Sequence, residues 1–183
     1  MYKVYKNKLY ISANEVLNSS FILGNNILKI GYKPDMVVAV WRGGCFPGKS
    51  MHELFRYKEL NTDSIVITCN SYIGINKAEE VKIDISKLSL EKLRKSLNIL
   101  IVDDVFDTGK TMKKIIMMMK KNGINTNIRI ATLFYKPDKN KTNIVPNYYL
   151  YKTDKWIVFP HELEDLTKEE IQHKSNEIAS IIG

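Results

Sequence analysis

The chain has 183 residues, of which 44% are hydrophobic and 26% are charged. This length suits a single domain with a sizeable core, and the composition is that of a soluble globular protein. The sequence contains neither an apolar run of membrane-span length nor a signal-peptide core, so we expect a cytoplasmic protein without a membrane partner. The net charge of +8 is compatible with nucleic acid, with a polyanionic small substrate or with a lysine-rich coding bias, because the lysines are scattered along the chain.

The first part of the chain predicts a strand, a capped helix and a second strand. Residues 1 to 10 have the alternation of a short strand or extended arm. Ser12 and Glu15 have the spacing of a capping box. The helix that they open should end at Gly31. Met36–Trp41 is an apolar run typical of a buried strand, and a further helix is predicted after it.

A double glycine separates this buried strand from its helix. Gly43 and Gly44 permit unusual backbone angles at a helix start, and Arg42 supplies a fixed positive charge. The pattern predicts an anion-binding turn. A plain strand-to-helix connection is the alternative at this point.

A third strand, Ser64–Cys69, is predicted to lead into a polar loop without periodicity at residues 70–80. Long aperiodic loops in compact domains are often lids over a site. Ser71 and Tyr72 lie in this predicted loop. Leu90 to Leu97 should form a short helix that leads into the central strand.

The central motif runs from Ile99 to Thr111. Four apolar residues, Ile99 to Val102, predict a short buried strand that ends at the acidic pair Asp103 and Asp104. A tight polar loop follows, and then a periodic run that predicts a helix from Met112 to Lys121. The loop consists of Asp107, Thr108, Gly109, Lys110 and Thr111.

This loop and the acidic pair suit different groups. A helix N-terminus with threonine hydroxyls beside it suits a phosphate, and Gly109 lets the backbone come close. Asp103 and Asp104 suit sugar hydroxyls or a hydrated Mg²⁺, and a ribose 5-phosphate carries both a diol and a phosphate. A Walker-type loop is disfavoured because Asp104 stands where that motif needs a glycine. An ordinary strand end with incidental acids remains the other alternative.

The last third of the chain predicts strands at 128–135 and 148–152 and a terminal helix capped at Thr167. The order of elements is of the βαβ type. We therefore expect an α/β fold with a mostly parallel central sheet flanked by helices, and a small hood formed from the chain ends. A single domain over residues 1–183 would then have a core of roughly 20–150 and a hood of roughly 1–15 and 150–165.

The central motif resembles the 5-phosphoribosyl-1-pyrophosphate (PRPP) signature of type I phosphoribosyltransferases. The resemblance implies that Asp103 and Asp104 associate with the ribose diol and with Mg²⁺. It also implies a pyrophosphate loop at Arg42, Gly43 and Gly44, and a flexible loop, closing over the reacting centre, that contains Ser71 and Tyr72. The residues implied in binding the 5-phosphate are Asp107, Thr108, Gly109, Lys110 and Thr111.

Two later segments, Leu133–Pro137 and Asp154–Val158, resemble the purine-binding segments of xanthine-guanine and hypoxanthine-guanine phosphoribosyltransferases. By this resemblance, Lys136 donates to the purine O6 and Trp156 stacks on the ring, while backbone groups of Ile157 and Val158 meet the C2 edge. A donor-only ammonium favours a 6-oxo over a 6-amino group, and an indole face suits a purine. Apart from the resemblance, Trp156 fits a core aromatic and Lys136 a solvated strand end.

The resemblance implies an enzyme that moves the 5-phosphoribosyl group of PRPP to N9 of hypoxanthine, guanine or xanthine in purine salvage. It further implies Mg²⁺, Asp107 as a general base or acid at the purine N7, and a homodimer or homotetramer. A non-catalytic PRPP-sensing regulator that binds nucleic acid is the rival hypothesis. The chain has no helix-turn-helix segment and no basic stripe, so nucleic acid is not expected. Lys136 and Trp156 argue against a pyrimidine-using transferase of the orotate type.

Overall fold

The computed structural model describes residues 3–73 and 79–183, with the side chains of residues 70–82 outside that description. Its strands are β1 (Lys3–Tyr5), β2 (Lys8–Tyr10), β3 (Met36–Trp41), β4 (Asp63–Ile73), β5 (Glu79–Asp84), β6 (Asn98–Phe106), β7 (Asn127–Tyr135), β8 (Tyr148–Lys152) and β9 (Trp156–Val158). Its helices are α1 (Ala13–Lys29), α2 (Cys45–Tyr57), α3 (Lys87–Lys95), α4 (Lys110–Lys121), α5 (Lys168–Lys174) and α6 (Asn176–Ile182), and a short 3₁₀ helix covers Pro137–Lys139.

The larger sheet has the strand order β5-β4-β3-β6-β7-β8 within the described ranges. β3 pairs in parallel with both β4 and β6, and β7 pairs in parallel with both β6 and β8. The β4–β5 pair is antiparallel. The predicted α/β fold with a mostly parallel central sheet is confirmed.

Helices cover both faces of this sheet because its central strands are apolar on both sides. A Cβ atom added at Gly48 of α2 would lie 2.9 Å from Ala39 Cβ and 3.8 Å from Val102 Cβ, so α2 packs closely against one face. Ile115 of α4 belongs instead to the buried cluster that contains Ile101. Successive strand residues point to opposite faces, which places α2 and α4 on opposite sides of β6.

The chain divides into two compact units, Leu17–Asp154 and a unit made of Met1–Val16 with Lys155–Gly183. The first unit contains the large sheet. The second contains a three-stranded sheet of order β1-β2-β9, in which β2 and β9 are parallel. The predicted bounds of a core and a hood within one domain stay predictions. No helix in the described ranges has both the length and the apolar character needed to cross a bilayer.

The predicted helix starts are present as hydrogen-bonded caps. The Ser12 N–H donates to Glu15 Oε2 at 2.9 Å, and the Glu15 N–H donates to Ser12 Oγ at 3.2 Å. Thr167 and Glu170 form the second capping box at the start of α5. Gly31, with a φ of +90°, follows the end of α1 as predicted.

The prediction of an irregular loop at residues 70–80 is wrong at both of its ends. β4 continues through Ile73, and β5 begins at Glu79. The two strands pair antiparallel, with Asn70 opposite Lys82. Main-chain hydrogen bonds suffice for such a strand pair, so polar residues can form it without an apolar pattern. Residues 74–78 of the predicted loop lie outside the described residues.

The prediction that the central strand ends before the acidic pair is also wrong. β6 continues through Asp103 and Asp104 to Phe106. Its parallel pairing to β7 holds beyond the apolar run, with Asp103 opposite Thr132 and Phe106 opposite Tyr135. Both acids are therefore on a strand, and the loop begins at Asp107.

Candidate functional site

The candidate site lies where three neighbouring parallel strands end. β3 runs into Arg42–Gly44, β6 runs into Asp107–Thr111, and β7 runs into Lys136. Because β6 pairs with both of the others, their carboxyl ends meet at one edge of the sheet. Ligands of open α/β sheets bind at this edge.

The double glycine after β3 packs directly against the acidic pair. A Cβ atom added at Gly43 would lie 2.0 Å from Asp104 Oδ2, and one added at Gly44 would lie 2.3 Å from the Val102 carbonyl oxygen. A side chain at Gly43 would displace the Asp104 carboxylate, and one at Gly44 would require the backbone to move. The peptide bond between Trp41 and Arg42 at the start of this turn is cis. The structure thus brings the predicted pyrophosphate loop and the acidic pair together.

The two acids of the pair differ in their surroundings. Asp104 is buried, with 7% of its surface exposed, and its backbone N–H donates to Asp103 Oδ1 at 3.0 Å. Burial, and then the neighbouring Asp104 carboxylate, raise the pKa of Asp103 well above its usual range. A carboxyl group in this situation gains from any cation or hydroxyl donor placed against it.

The predicted phosphate loop turns onto the N-terminus of α4 through Gly109. This glycine has a φ of +75°, a left-handed conformation that L side chains rarely adopt. In the described chain, no side chain caps α4 and its first turn carries no acidic residue. The Lys110 N–H donates to Thr108 Oγ1 at 3.4 Å. The positive end of the helix is therefore suited to an anion.

Lys136 and Asp107 form an ion pair that the sequence did not predict. Lys136 Nζ lies 2.9 Å from Asp107 Oδ2. Lys136 is only 5% exposed, and its backbone N–H donates to the Phe106 carbonyl oxygen at 2.9 Å. The Asp107 side chain is 38% exposed. The alternative of a solvated lysine at the strand end is excluded, since the ammonium is buried against a carboxylate.

The segment predicted to stack on a base belongs to the second compact unit, in β9. Trp156 is 51% exposed, which excludes the alternative of a core aromatic. Ile157 and Val158 are buried, and Ile157 pairs with Leu9 of β2. The Val158 carbonyl oxygen accepts a hydrogen bond from the Ile11 N–H at 3.2 Å.

The residues predicted for the flexible loop, Ser71 and Tyr72, lie in β4 by their backbone, and their side chains are outside the described residues. Among the residues that are described, no group of three or more His, Cys, Asp or Glu side chains could hold a metal ion. Any metal at the acidic pair therefore needs other ligands besides Asp103 and Asp104.

The residues that support the phosphate loop were not predicted from the sequence. In the structure, the Lys141 N–H donates to the Thr108 carbonyl oxygen at 3.0 Å, and Thr142 lies against Gly109. The signal was available, because Asn140 and Thr142 are residue types that order turns through their side chains.

Comparison with known proteins decides the family. The family model described as "Phosphoribosyl transferase domain" matches residues 7–168. This chain belongs to the phosphoribosyltransferase family. The hypoxanthine-guanine phosphoribosyltransferase of Lactococcus lactis is 30% identical to this phosphoribosyltransferase over 143 residues, which cover 77% of this chain and 74% of that protein. The corresponding protein of Saccharomyces cerevisiae is 26% identical over 195 residues and 87% of each chain.

The fold of this phosphoribosyltransferase is also that of solved relatives. A purine phosphoribosyltransferase from Pyrococcus horikoshii superposes with a TM-score of 0.70 and is 34% identical, covering 88% of this chain and 98% of that one. The predicted resemblance to type I purine-using phosphoribosyltransferases is confirmed, as is the prediction of an enzyme, a glycosyltransferase.

Proposed function

We propose that this phosphoribosyltransferase transfers the 5-phosphoribosyl group of PRPP to N9 of a 6-oxopurine and acts in purine salvage. The main support is the ion pair between the buried Lys136 and Asp107, whose side chains lie 2.9 Å apart at the ends of adjacent parallel strands. An ammonium has donors only, so it suits the O6 acceptor of hypoxanthine, guanine or xanthine and disfavours a 6-amino group. The printed names of the bacterial relatives, hypoxanthine-guanine phosphoribosyltransferases, support the same acceptor class.

In the proposed reaction, the purine N9 forms a bond to the ribose C1 as the bond from C1 to pyrophosphate breaks. The proton on the purine N7 passes to the Asp107 carboxylate, which acts as the general base. Lys136 holds the O6 edge so that N9 points at C1. Binding both substrates in one site supplies the proximity that the displacement needs.

The PRPP side of the proposed site uses the two turns at the strand ends. The loop of Asp107, Thr108, Gly109, Lys110 and Thr111 binds the 5-phosphate at the N-terminus of α4. Arg42, Gly43 and Gly44 bind the pyrophosphate through a fixed positive charge and backbone N–H groups. The first assignment is supported because, in the part of the chain described, no side chain caps α4 and no acidic residue lies in its first turn. The second is supported by the closeness of Gly43 to Asp104.

Mg²⁺ fits the acidic pair by its donor chemistry. Asp103 and Asp104 supply carboxylate oxygens, the donors that Mg²⁺ prefers, and the raised pKa of Asp103 marks a site that a cation stabilises. Two protein carboxylates are few, which suits an ion that keeps waters and shares ligands with the substrate. When bound, Mg²⁺ neutralises charge on the leaving pyrophosphate. The same two aspartates are proposed to accept hydrogen bonds from the ribose diol.

The remaining roles that we propose rest on the sequence resemblance. Trp156 stacks on the purine, and backbone groups of Ile157 and Val158 meet its C2 edge. Ser71 and Tyr72 belong to the loop that closes over the reacting centre. The assembly is proposed to be a homodimer or homotetramer.

The proposed function is tested by measuring pyrophosphate release with fixed PRPP and Mg²⁺ against hypoxanthine, guanine, xanthine, adenine and orotate. We expect turnover with at least one 6-oxopurine and none with adenine or orotate. Turnover with adenine at a comparable rate would overturn the role of Lys136. If no base gave pyrophosphate release but PRPP still bound measurably, the proposed reaction would be overturned and a PRPP-binding regulator would be favoured.

A further inference from the structure

Residues 136–144, which we call the buttress segment, follow β7 and hydrogen-bond to the end of β6 and to the phosphate loop. At its start, the Lys136 N–H donates to the Phe106 carbonyl oxygen at 2.9 Å. Further along, the Lys141 N–H donates to the Thr108 carbonyl oxygen at 3.0 Å. These two bonds join the main chain of the buttress segment to Phe106 and Thr108, the residues on either side of Asp107.

The side chain of Asn140 holds the buttress segment in its shape. Its Nδ2 donates to the Ile144 carbonyl oxygen at 2.8 Å and to the Tyr135 hydroxyl at 3.3 Å. Its Oδ1 accepts from both the N–H and the hydroxyl of Thr142, each at 2.9 Å. An amide offers two donor hydrogens and an acceptor oxygen, and all three groups of Asn140 are used here.

The hydroxyl that Asn140 fixes lies against the turn at Gly109. A Cβ atom added at Gly109 would lie 2.5 Å from Thr142 Oγ1, so the two residues are in close approach. The same Oγ1 donates to Asn140 and accepts from the Ile144 N–H at 3.2 Å. Its position is therefore fixed from two sides. Gly109 is the left-handed residue from which α4 begins.

We propose that Asn140 and Thr142 are positioning residues for the 5-phosphate of PRPP. They hold Gly109 and the N-terminus of α4 in the anion-binding conformation without touching the phosphate themselves. This inference rests on the proposed function, because it takes the loop at Gly109 to be the 5-phosphate site. Pre-organisation of such a loop lowers the cost of ordering it when the ligand binds.

The test is Thr142→Val, which keeps the shape of the side chain and removes the hydroxyl. Thr142→Ser keeps the hydroxyl and is the conservative variant. Thr126→Val is the matched control, because within the described residues the buried Thr126 hydroxyl has no hydrogen-bond partner. Each variant is titrated with ribose 5-phosphate and, separately, with pyrophosphate in the presence of Mg²⁺. The KM values for PRPP and for the purine are measured alongside.

We expect Thr142→Val to weaken ribose 5-phosphate binding about tenfold and to raise the KM for PRPP similarly, because the variant loses the two part-buried hydrogen bonds of the Thr142 hydroxyl. Pyrophosphate binding and the KM for the purine should stay within twofold of wild type. Thr142→Ser should restore most of the lost affinity, and Thr126→Val should match wild type.

Two results would overturn the positioning role. One is unchanged ribose 5-phosphate binding in Thr142→Val. The other is an equal loss for pyrophosphate and ribose 5-phosphate, which would mean general damage. Failure of the proposed function itself would look different, since wild type would then release no pyrophosphate with any base, whether or not it bound ribose 5-phosphate.

Discussion

Asp103 lies near the end of β6 and Asp107 lies just after it, but the two carboxyl groups have opposite electrostatic surroundings. Asp103 is held by the backbone N–H of Asp104, and its pKa is raised by burial and by the Asp104 carboxylate. Asp107 is held by the ammonium of Lys136 at 2.9 Å. One carboxyl group therefore lies beside another carboxylate, and the other lies beside an ammonium group.

This difference suits two chemical tasks on one short segment. A carboxyl group with a raised pKa gains most from a cation or a sugar hydroxyl that arrives with the substrate. A carboxylate fixed by a buried lysine is oriented before the substrate arrives, which suits proton transfer at a defined atom. Changing each carboxyl group separately can therefore distinguish the two tasks.

The largest expected effect is that of Asp107→Ala on turnover. Loss of a general base lowers the rate by about a hundredfold or more, so kcat with PRPP and a 6-oxopurine should fall by at least that factor. The fold should persist at lower stability, because the Asp107 side chain is 38% exposed but its removal takes a carboxylate away from the buried Lys136 ammonium. Initial rates of pyrophosphate release measure the first effect, and circular dichroism the second.

Asp138→Ala is the control for this variant, since Asp138 is exposed and lies close by in sequence to Lys136. It should retain wild-type turnover. Near-normal turnover in Asp107→Ala would reject the assignment of Asp107 and remove the contrast between the two acids.

A smaller effect is expected from Asp103→Asn on stability. Because the pKa of Asp103 is raised in the folded state, the folded protein holds this proton more tightly than the unfolded chain. Wild type therefore loses stability as pH rises from about 4, the ordinary pKa of aspartate, through the raised value. Without Mg²⁺, the asparagine variant should melt a few degrees higher than wild type at pH 7.5.

This advantage should vanish near pH 4, where both proteins carry an uncharged side chain. The check is a series of thermal melts across pH with a chelator present, with the exposed Asp138→Asn as the matched control. If Asp103→Asn melted below wild type at pH 7.5, the neighbours of the Asp103 carboxylate would be stabilising its charged form. The contrast between Asp103 and Asp107 would then be wrong.

Much of the fold could be predicted because its strands are apolar runs. Met36–Trp41 and Tyr148–Lys152 have the predicted bounds, and the buried run of Ile99 to Val102 lies in β6. The antiparallel strand β5 was missed because a polar edge strand lacks the apolar pattern of a buried one. Its pairing to β4 depends on main-chain groups, which all sequences share.

Only those parts of the candidate site that are contiguous in the sequence were predicted. The acidic pair and the phosphate loop are contiguous in sequence, so their spacing could be compared with a known signature. The ion pair of Asp107 with Lys136 joins residues that come together only when β6 and β7 pair. The contact of Thr142 with Gly109 depends in the same way on the tertiary structure. Sequence spacing carries no direct information on either contact.

The smallest expected effect comes from a third carboxylate, in the compact unit formed by the chain ends. Glu170 lies 2.8 Å from Lys8 and accepts the Thr167 N–H in a capping box. The hydrogen bond with Lys8, and then that of the Thr167 N–H, lower the pKa of Glu170 to about 2. The sign is opposite to that of Asp103, since here the folded state favours the charged form.

Stability from Glu170 is therefore present above the ordinary pKa of glutamate, about 4.3, and is lost as pH falls through about 2. Glu170→Gln should melt slightly lower than wild type at pH 7, and the gap should close as the pH falls through that window. Glu177→Gln is the control, because Glu177 is an exposed acid in the first turn of α6. The decisive outcome is that the two variants differ from wild type in opposite directions near neutral pH, Asp103→Asn melting higher and Glu170→Gln melting lower. If both variants melted on the same side of wild type, net charge would explain them better than local environment.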